Sequence, residues 1–296
     1  MKTLSLKGCG TALITPFHNG EVDYDAFIRL IERQTAAGIH FLVPLGTTGE
    51  TPCLDDQEKI KILEIAKEHS QGKTIIAGGG TNSLSGTIKS IQMLESHGAD
   101  AFLIVVPYYN KPTQKGLFEY FKAVAESSEK PVVMYNVPGR TGSNMTAETA
   151  LKLAELENIV AIKEASGNYS QISEIIRNAP EGFSVLSGND DETLSLMATG
   201  ASGVISVASN IVPELMVSLT EALLNDEIAL ARQLHHKLSP LFRNCFIESN
   251  PIPAKAALNA LGLISNELRL PLTPSSDSTF ATMKQTLASL GIYNKL

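Results

Sequence analysis

Eight short apolar runs recur along the first two thirds of the sequence, roughly every 20–32 residues, and amphipathic stretches separate them. Most of the runs are continuously apolar, which is typical of parallel strands buried on both faces. Eight consecutive βα units predict an α/β fold of the (β/α)8, or TIM-barrel, type. The alternative, a doubly wound open sheet, usually carries G-x-G-x-x-G after its first strand, and no such motif stands there. The predicted strands are TALIT (11–15), FLVPL (41–45), TIIAG (74–78), AFLIVVP (101–107), PVVMYNV (131–137), IVAIK (159–163), FSVLSG (183–188) and GVISV (203–207).

Helix-start signals support the same alternation. Asp23 precedes an apolar run at helical spacing, and Asp55 with Glu58 three residues later has the pattern of a capping box. Ser83 opens a further predicted helix over 87–97. The segments between the strands are therefore predicted to be helices.

After Val207 the strand signals stop, and only helical patterns follow. They cover roughly 211–225, 227–248, 253–262 and 278–291, punctuated by prolines. We predict a catalytic barrel domain over residues 1–225 and a C-terminal helical domain over residues 226–296.

Composition excludes several classes of protein. The 296 residues are 43% apolar, enough for a large core, and the net charge of −7 argues against a nucleic-acid binder. Three widely spaced cysteines predict neither a disulfide framework nor a zinc site. The start lacks the apolar core of a signal peptide, and no apolar run is long enough to span a bilayer. We expect a cytoplasmic protein with neither a membrane nor a nucleic-acid partner.

Polar side chains follow five of the predicted strands, where barrel enzymes carry their chemistry. If the barrel is correct, these groups converge on one mouth, which is a stronger indication than any single motif. They are Thr47 and Thr48, Tyr108 and Tyr109, Tyr135 with Arg140, Lys163, and Gly188 with the residues beside it.

Lys163 is the candidate nucleophile because it ends a buried apolar strand. Burial disfavours the charged ammonium, and a free amine condenses with a ketone to a Schiff base. The alternative is a structural lysine paired with Glu164 or with another carboxylate.

The neighbouring residues suit a keto-acid substrate, although each also has an ordinary structural interpretation. The Gly46–Gly49 turn offers hydroxyl and N–H groups to a small carboxylate, or is a plain strand-to-helix turn. Tyr109 and Tyr135 can relay protons, or are core aromatic residues at strand ends. Arg140 can hold a second carboxylate, or forms a surface ion pair. The six histidines show no metal-binding spacing, so no metal site is predicted.

Four motifs together make the sequence recognisable: GTTGE (46–50), PYYNKP (107–112), YNVPGRTG (135–142) and IKEASG (162–167). With Gly8–Phe17 and Asn250–Lys255, they resemble the dihydrodipicolinate synthase / N-acetylneuraminate lyase family of Schiff-base aldolases over essentially the whole chain. The resemblance implies condensation of pyruvate with L-aspartate 4-semialdehyde to 4-hydroxy-tetrahydrodipicolinate, on the route to diaminopimelate and lysine. It also implies a homotetramer built as a dimer of dimers, with no metal or organic cofactor.

Residue roles follow from the resemblance. It implies that Lys163 forms the Schiff base, Tyr135 acts as general acid and base, and Thr47 and Tyr109 complete a hydroxyl relay. Further residues are implied to bind substrate or to reach across a dimer interface. These are Thr48 for the pyruvate carboxylate, Arg140 for the semialdehyde carboxylate, Gly188 and Ile205 lining the pyruvate pocket, and Tyr108 at the interface.

One departure concerns regulation. Lysine-inhibited members of the family carry histidines where this sequence has Asp56 and Lys59, and an acidic residue where it has Gly86. The ammonium of a lysine effector would lose a carboxylate partner and meet a cation. We therefore predict weak or absent inhibition by lysine.

Two other functions stay open. One is a lyase of the same family acting on N-acetylneuraminate or a keto-deoxy sugar acid; Arg140 and the GTTGE motif argue against it. The other is a non-catalytic barrel that only binds a keto acid; the presence of Lys163, Tyr135 and the two relay residues argues against it.

Overall fold

The computed structural model describes residues 4–293, which fold around a closed barrel of eight parallel strands. The order around the barrel is β1-β10-β9-β8-β7-β6-β5-β4, and β4 pairs back onto β1. The predicted (β/α)8 barrel is therefore confirmed. The strands are β1 (Gly8–Ala12), β2 (Phe17–His18), β3 (Glu21–Val22), β4 (Phe41–Val43), β5 (Thr74–Gly78), β6 (Ala101–Val105), β7 (Val132–Asn136), β8 (Ile159–Glu164), β9 (Ser184–Ser187) and β10 (Gly203–Ser206), of which β2 and β3 form a separate antiparallel hairpin.

Helices connect the strands and cover the barrel. They are α1 (Tyr24–Ala36), α2 (Asp56–His69), α3 (Leu84–Glu95), α4 (Gln114–Glu126), α5 (Pro138–Thr141), α6 (Ala147–Ala154), α7 (Tyr169–Asn178), α8 (Thr193–Ala198), α9 (Pro213–Leu224), α10 (Ile228–Asn244), α11 (Ile252–Ala260) and α12 (Asp277–Ser289). The three predicted caps are confirmed: Asp23 accepts from Ala26, Asp55 forms a capping box with Glu58, and Ser83 caps α3.

The prediction for the first strand is wrong in position. The strand runs over Gly8–Ala12 rather than 11–15, because β1 must pass very close to its neighbours. A Cβ atom at Gly10 would overlap the ring of Phe41, and one at Gly203 on β10 would overlap the carbonyl oxygen of Gly8. Glycine is disfavoured in strands by local propensity, so a search for apolar β-branched runs passes over this segment.

The C-terminal helical prediction is confirmed in position. The four predicted stretches correspond to α9–α12, with α9 packed against β1 and α10, and α12 packed against α10 and α11. The proposed division at residues 225 and 226 falls between α9 and α10 and remains a prediction. The first three residues of the predicted 1–225 range and the last three of the 226–296 range lie outside the described residues.

Two apolar layers make up the core. One fills the barrel, with side chains that include Val133, Tyr135, Ala161, Leu186 and Ile205. The other, which contains Met134 and Ile162, lies between the strands and the helices. Because strand side chains alternate, Tyr135 and Lys163 face the interior, while Asn136 and Glu164 face the helices. Among residues 4–293 no helix is both long and apolar enough to cross a membrane.

Candidate active site

Lys163 and Tyr135 lie side by side at the carboxyl ends of β8 and β7. The two residues are register partners in the parallel pair, and the Nζ atom of Lys163 is 4.4 Å from the centroid of the Tyr135 ring. Only 6% of Lys163 is exposed. An amine is thus held against a phenol in a nearly dry barrel end, which suits nucleophilic attack on a carbonyl with proton transfer alongside.

Glu164 does not pair with Lys163. Its carboxylate faces the helices and accepts hydrogen bonds from the Asn136 amide at 3.1 and 3.2 Å, from the Ser166 backbone at 2.9 Å and from Gln171 at 3.0 Å. Burial raises the pKa of the Glu164 carboxyl, and these donors oppose that shift. This network fixes β8 against β7 and leaves the opposite face of the strand to Lys163.

Asp190 brings a buried negative charge to the same end of the barrel. It accepts hydrogen bonds from the backbone N–H groups of Val207 at 3.0 Å and Ala208 at 2.9 Å. Burial raises the pKa of Asp190, while these hydrogen bonds and the charge of Lys163 lower it in part. Asp190 stands two residues after Gly188, and no local sequence pattern indicates its role.

Gly188 leaves room for the lysine side chain. A Cβ atom at this position would lie 3.1 Å from the Cε atom of Lys163 and 2.6 Å from the Cβ atom of Ala165. Ile205 belongs to the same barrel-filling cluster as Tyr135. The structure therefore brings Gly188 and Ile205 to the barrel interior with Tyr135 and Lys163.

The turn after β4 presents two threonines in different environments. Thr47 and Thr48 begin a short 3-10 helix, with Thr47 exposed and Thr48 only 2% exposed. The Thr48 hydroxyl accepts a hydrogen bond from the side-chain amide of Asn250 at 2.9 Å. No local sequence pattern predicts this role of Asn250, because the two residues are 202 positions apart.

Tyr109 is exposed on the loop that follows β6. Its side chain is 88% exposed, and its backbone adopts φ +73, which is unusual for a bulky residue. No hydrogen bond among the described residues links the hydroxyl groups of Thr47, Tyr109 and Tyr135. The relay of Thr47, Tyr109 and Tyr135 therefore stays a prediction.

Arg140 and Tyr108 lie on the rim. Arg140 is exposed on α5, and Tyr108 is 39% exposed. The loops that carry them are joined by a hydrogen bond from the backbone of Tyr109 to Thr141 at 3.2 Å. Within residues 4–293 the guanidinium of Arg140 has no ion-pair partner, so the surface-ion-pair interpretation is not supported.

Comparison with known proteins assigns the family. The family model described as the dihydrodipicolinate synthetase family matches residues 5–290. This chain belongs to that family. Two curated relatives are named 4-hydroxy-tetrahydrodipicolinate synthase. The one from Thermotoga neapolitana is 45% identical, covering 97% of this chain and 99% of the relative. The one from Phocaeicola vulgatus is 48% identical, covering 97% of this chain and 98% of the relative.

Solved structures agree in fold. Dihydrodipicolinate synthase from Thermotoga maritima is 44% identical and matches with a TM-score of 0.96, covering 98% of this chain and 100% of that one. A second structure is that of the chloride-inhibited dihydrodipicolinate synthase from Acinetobacter baumannii complexed with pyruvate. It is 38% identical and matches with a TM-score of 0.95, covering 97% of this chain and 100% of that one.

Proposed function

We propose that this chain condenses pyruvate with L-aspartate 4-semialdehyde to give 4-hydroxy-tetrahydrodipicolinate, the first committed step of diaminopimelate and lysine biosynthesis. The observation that carries the proposal is the buried, inward-facing Lys163 beside Tyr135, with Gly188 leaving space at its side chain. The names of the full-length relatives support the same reaction. We place this enzyme in the cytoplasm.

The chemistry starts with the amine of Lys163, which attacks C2 of pyruvate. Water leaves, and the resulting iminium acidifies the methyl group. Loss of a methyl proton gives an enamine, whose carbon attacks the aldehyde, and Tyr135 supplies the proton that the aldehyde oxygen needs. The iminium is the electron sink, so the scheme uses no metal and no organic cofactor. The amino group of the semialdehyde moiety then attacks the iminium carbon and displaces the amine of Lys163, which closes the ring of 4-hydroxy-tetrahydrodipicolinate and frees the enzyme.

The two substrate carboxylates bind at different depths, one in the buried pocket and one at the rim. The hydroxyl of the buried Thr48 binds the carboxylate of pyruvate, and Gly188 and Ile205 line its pocket. Arg140, exposed at the rim and without an ion-pair partner among residues 4–293, binds the carboxylate of the semialdehyde through its planar pair of N–H groups.

The proton relay uses a second subunit. Because Tyr109 is 88% exposed in the single chain, we assign it to the active site of a neighbouring copy, where it joins Thr47 and Tyr135. Tyr108 then lies at the same interface, within a homotetramer built as a dimer of dimers.

The decisive experiment combines turnover with trapping. Purified protein should turn over only with both pyruvate and aspartate semialdehyde, in an assay coupled to dihydrodipicolinate reductase and NADPH. Borohydride with pyruvate should add one adduct to the Lys163 peptide. Lys163→Ala should remain folded, lose the adduct and lose turnover by about a thousandfold or more. Lys152→Ala, at an exposed pair with Glu148, is the control that keeps both.

Each negative result of this experiment points to a different alternative. An adduct without turnover would keep the Schiff-base chemistry and point to a sugar-acid lyase of the same family. Wild-type turnover in Lys163→Ala would overturn the mechanism, and the absence of any adduct would leave a non-catalytic keto-acid binder.

A further inference from the structure

The buried side chain of Asn250 makes one hydrogen bond within the described residues. It is 5% exposed, and its amide donates to the hydroxyl of Thr48 at 2.9 Å. Its carbonyl oxygen Oδ1 is buried and has no hydrogen-bond partner within the described part of the chain. Leaving such an oxygen unpaired costs about 1–3 kcal/mol, so an apolar side chain would serve a purely structural position better. The contact with Thr48 is therefore the feature that distinguishes this asparagine.

That contact sets the direction of the Thr48 hydroxyl. A hydroxyl has one hydrogen to donate and two lone pairs to accept with. When the amide of Asn250 occupies one lone pair, the hydrogen of Thr48 is directed away from Asn250. A carboxylate only accepts hydrogen bonds, so it requires Thr48 as a donor.

Asn250 is held rigidly against this turn by a second attachment. Five residues further on, the Nζ atom of Lys255 lies 2.5 Å from Oε1 of Glu50, and both side chains are fully buried. Lys255 also donates to the carbonyl oxygen of Glu267 at 2.9 Å, and the backbone of Arg269 donates to Oε2 of Glu50 at 3.1 Å. Glu50 directly follows the 3-10 helix that carries Thr48. The segment 250–269 thus holds the turn at two points.

We propose that Asn250 is a positioning residue for pyruvate binding. It fixes the Thr48 hydroxyl as a hydrogen-bond donor to the pyruvate carboxylate. The ion pair of Lys255 with Glu50 maintains the distance between Asn250 and Thr48. This inference rests on the proposed function, since it requires a pyruvate site at Thr48. The C-terminal segment then affects pyruvate affinity through Thr48.

A double-mutant cycle tests the proposal. The readout is the pyruvate concentration that gives half-maximal borohydride trapping on Lys163. Asn250→Leu, which removes the donor at similar size, should raise that concentration about tenfold, as Thr48→Val should. In the Thr48→Val background, Asn250→Leu should change it by less than about twofold, because the hydroxyl it orients is gone.

A matched control lies on α11, the helix that follows Asn250. Asn259 donates its side-chain amide to the carbonyl oxygen of Ile264 at 2.9 Å, a contact that does not involve Thr48. Asn259→Leu should therefore leave half-maximal trapping unchanged, even if thermal unfolding shows a loss of stability. This variant separates lost stability from lost positioning.

The outcomes separate failure of the proposed function from failure of the role of Asn250 alone. If wild-type protein gives no adduct, the proposed function fails and this inference fails with it. If wild type is trapped but Asn250→Leu keeps wild-type affinity, or if the two substitutions add fully, Asn250 has only a structural role. Should Asn250→Leu not fold, the isosteric Asn250→Asp must weaken trapping at least about tenfold, since Thr48 would then donate to Asp; unchanged affinity there would also overturn the inference.

Discussion

Two adjacent residues on β8, Lys163 and Glu164, lie on opposite faces of the strand and have different surroundings. Glu164 faces the helices and is surrounded by the donors of Asn136, Ser166 and Gln171. Lys163 faces the barrel, where the negative charge is that of Asp190, itself hydrogen-bonded to backbone N–H groups. Both carboxylates are thus hydrogen-bonded to other groups, and within residues 4–293 neither forms an ion pair with Lys163.

Arg140→Ala tests the division of the two carboxylates at the residue level. It should raise the Michaelis constant for aspartate semialdehyde and lower kcat/KM by about a hundredfold or more, because a bidentate contact is lost. Borohydride trapping of pyruvate should be unchanged. Arg177→Ala, on the exposed face of α7, serves as the control that alters neither. Loss of trapping in Arg140→Ala would show that Arg140 serves pyruvate instead.

The turn after β4 contacts both the barrel and the segment that leads into α11. On its barrel side, Gly78 on β5 donates to the carbonyl oxygen of Pro44 at 3.0 Å, and a Cβ atom at Gly78 would overlap the carbonyl oxygen of Leu45. On its outer side, Asn250 and Lys255 reach Thr48 and Glu50. The turn is thus clamped between a strand and the segment that begins α11, which suits a site that must hold a small carboxylate without rearranging.

The prediction on lysine inhibition concerns residues of α2 and α3. Asp56 and Lys59 lie one turn apart on α2, with 3.4 Å between Lys59 Nζ and Asp56 Oδ1. Gly86 lies in the first turn of α3, where its N–H donates to the cap residue Ser83. A lysine effector would meet the cation of Lys59 and find no carboxylate at position 86, so we expect half-inhibition only above ~1 mM L-lysine. Initial rates at saturating pyruvate measure this, and half-inhibition well below that concentration would contradict it.

At the level of the whole molecule, the proposed proton relay requires a second copy of the chain. Tyr109 lies beyond the end of β6, with a strained backbone and an 88% exposed ring, whereas Tyr135 lies within β7. Strain of this kind persists where surrounding structure over-determines it, often at functional positions. An isologous dimer would let two such tyrosines serve each other's sites.

Subunit mixing tests this arrangement. Co-expressed Lys163→Ala and Tyr109→Phe chains, carrying different tags, should form mixed oligomers with one complete site per mixed dimer. Random pairing should restore about a quarter of the wild-type sites. The control mixture, Lys163→Ala with Tyr135→Phe, should restore nothing, since Lys163 and Tyr135 come from the same chain. Purified mixed oligomers that stay inactive would show that Tyr109 does not act across an interface.

The sequence by itself determined what depends on neighbours along the chain. Continuously apolar runs indicated seven barrel strands in nearly their observed places, because strands buried on both faces need apolar side chains throughout. The caps at Asp23, Asp55 and Ser83 could be read directly, since each involves backbone groups three residues away. The strand-end positions of Lys163 and Tyr135 also predicted that the two meet, because parallel strands of a barrel all end at the same mouth.

Only the tertiary structure decided what depends on distant segments. The true span of β1 follows from the close packing of Gly8 and Gly10 against Gly203 and Phe41, which no local propensity encodes. The outward direction of Tyr109 depends on the loop fold around Thr141. The contact of Asn250 with Thr48 joins residues 202 positions apart, and no periodicity or motif spacing relates two residues that meet only when the barrel closes.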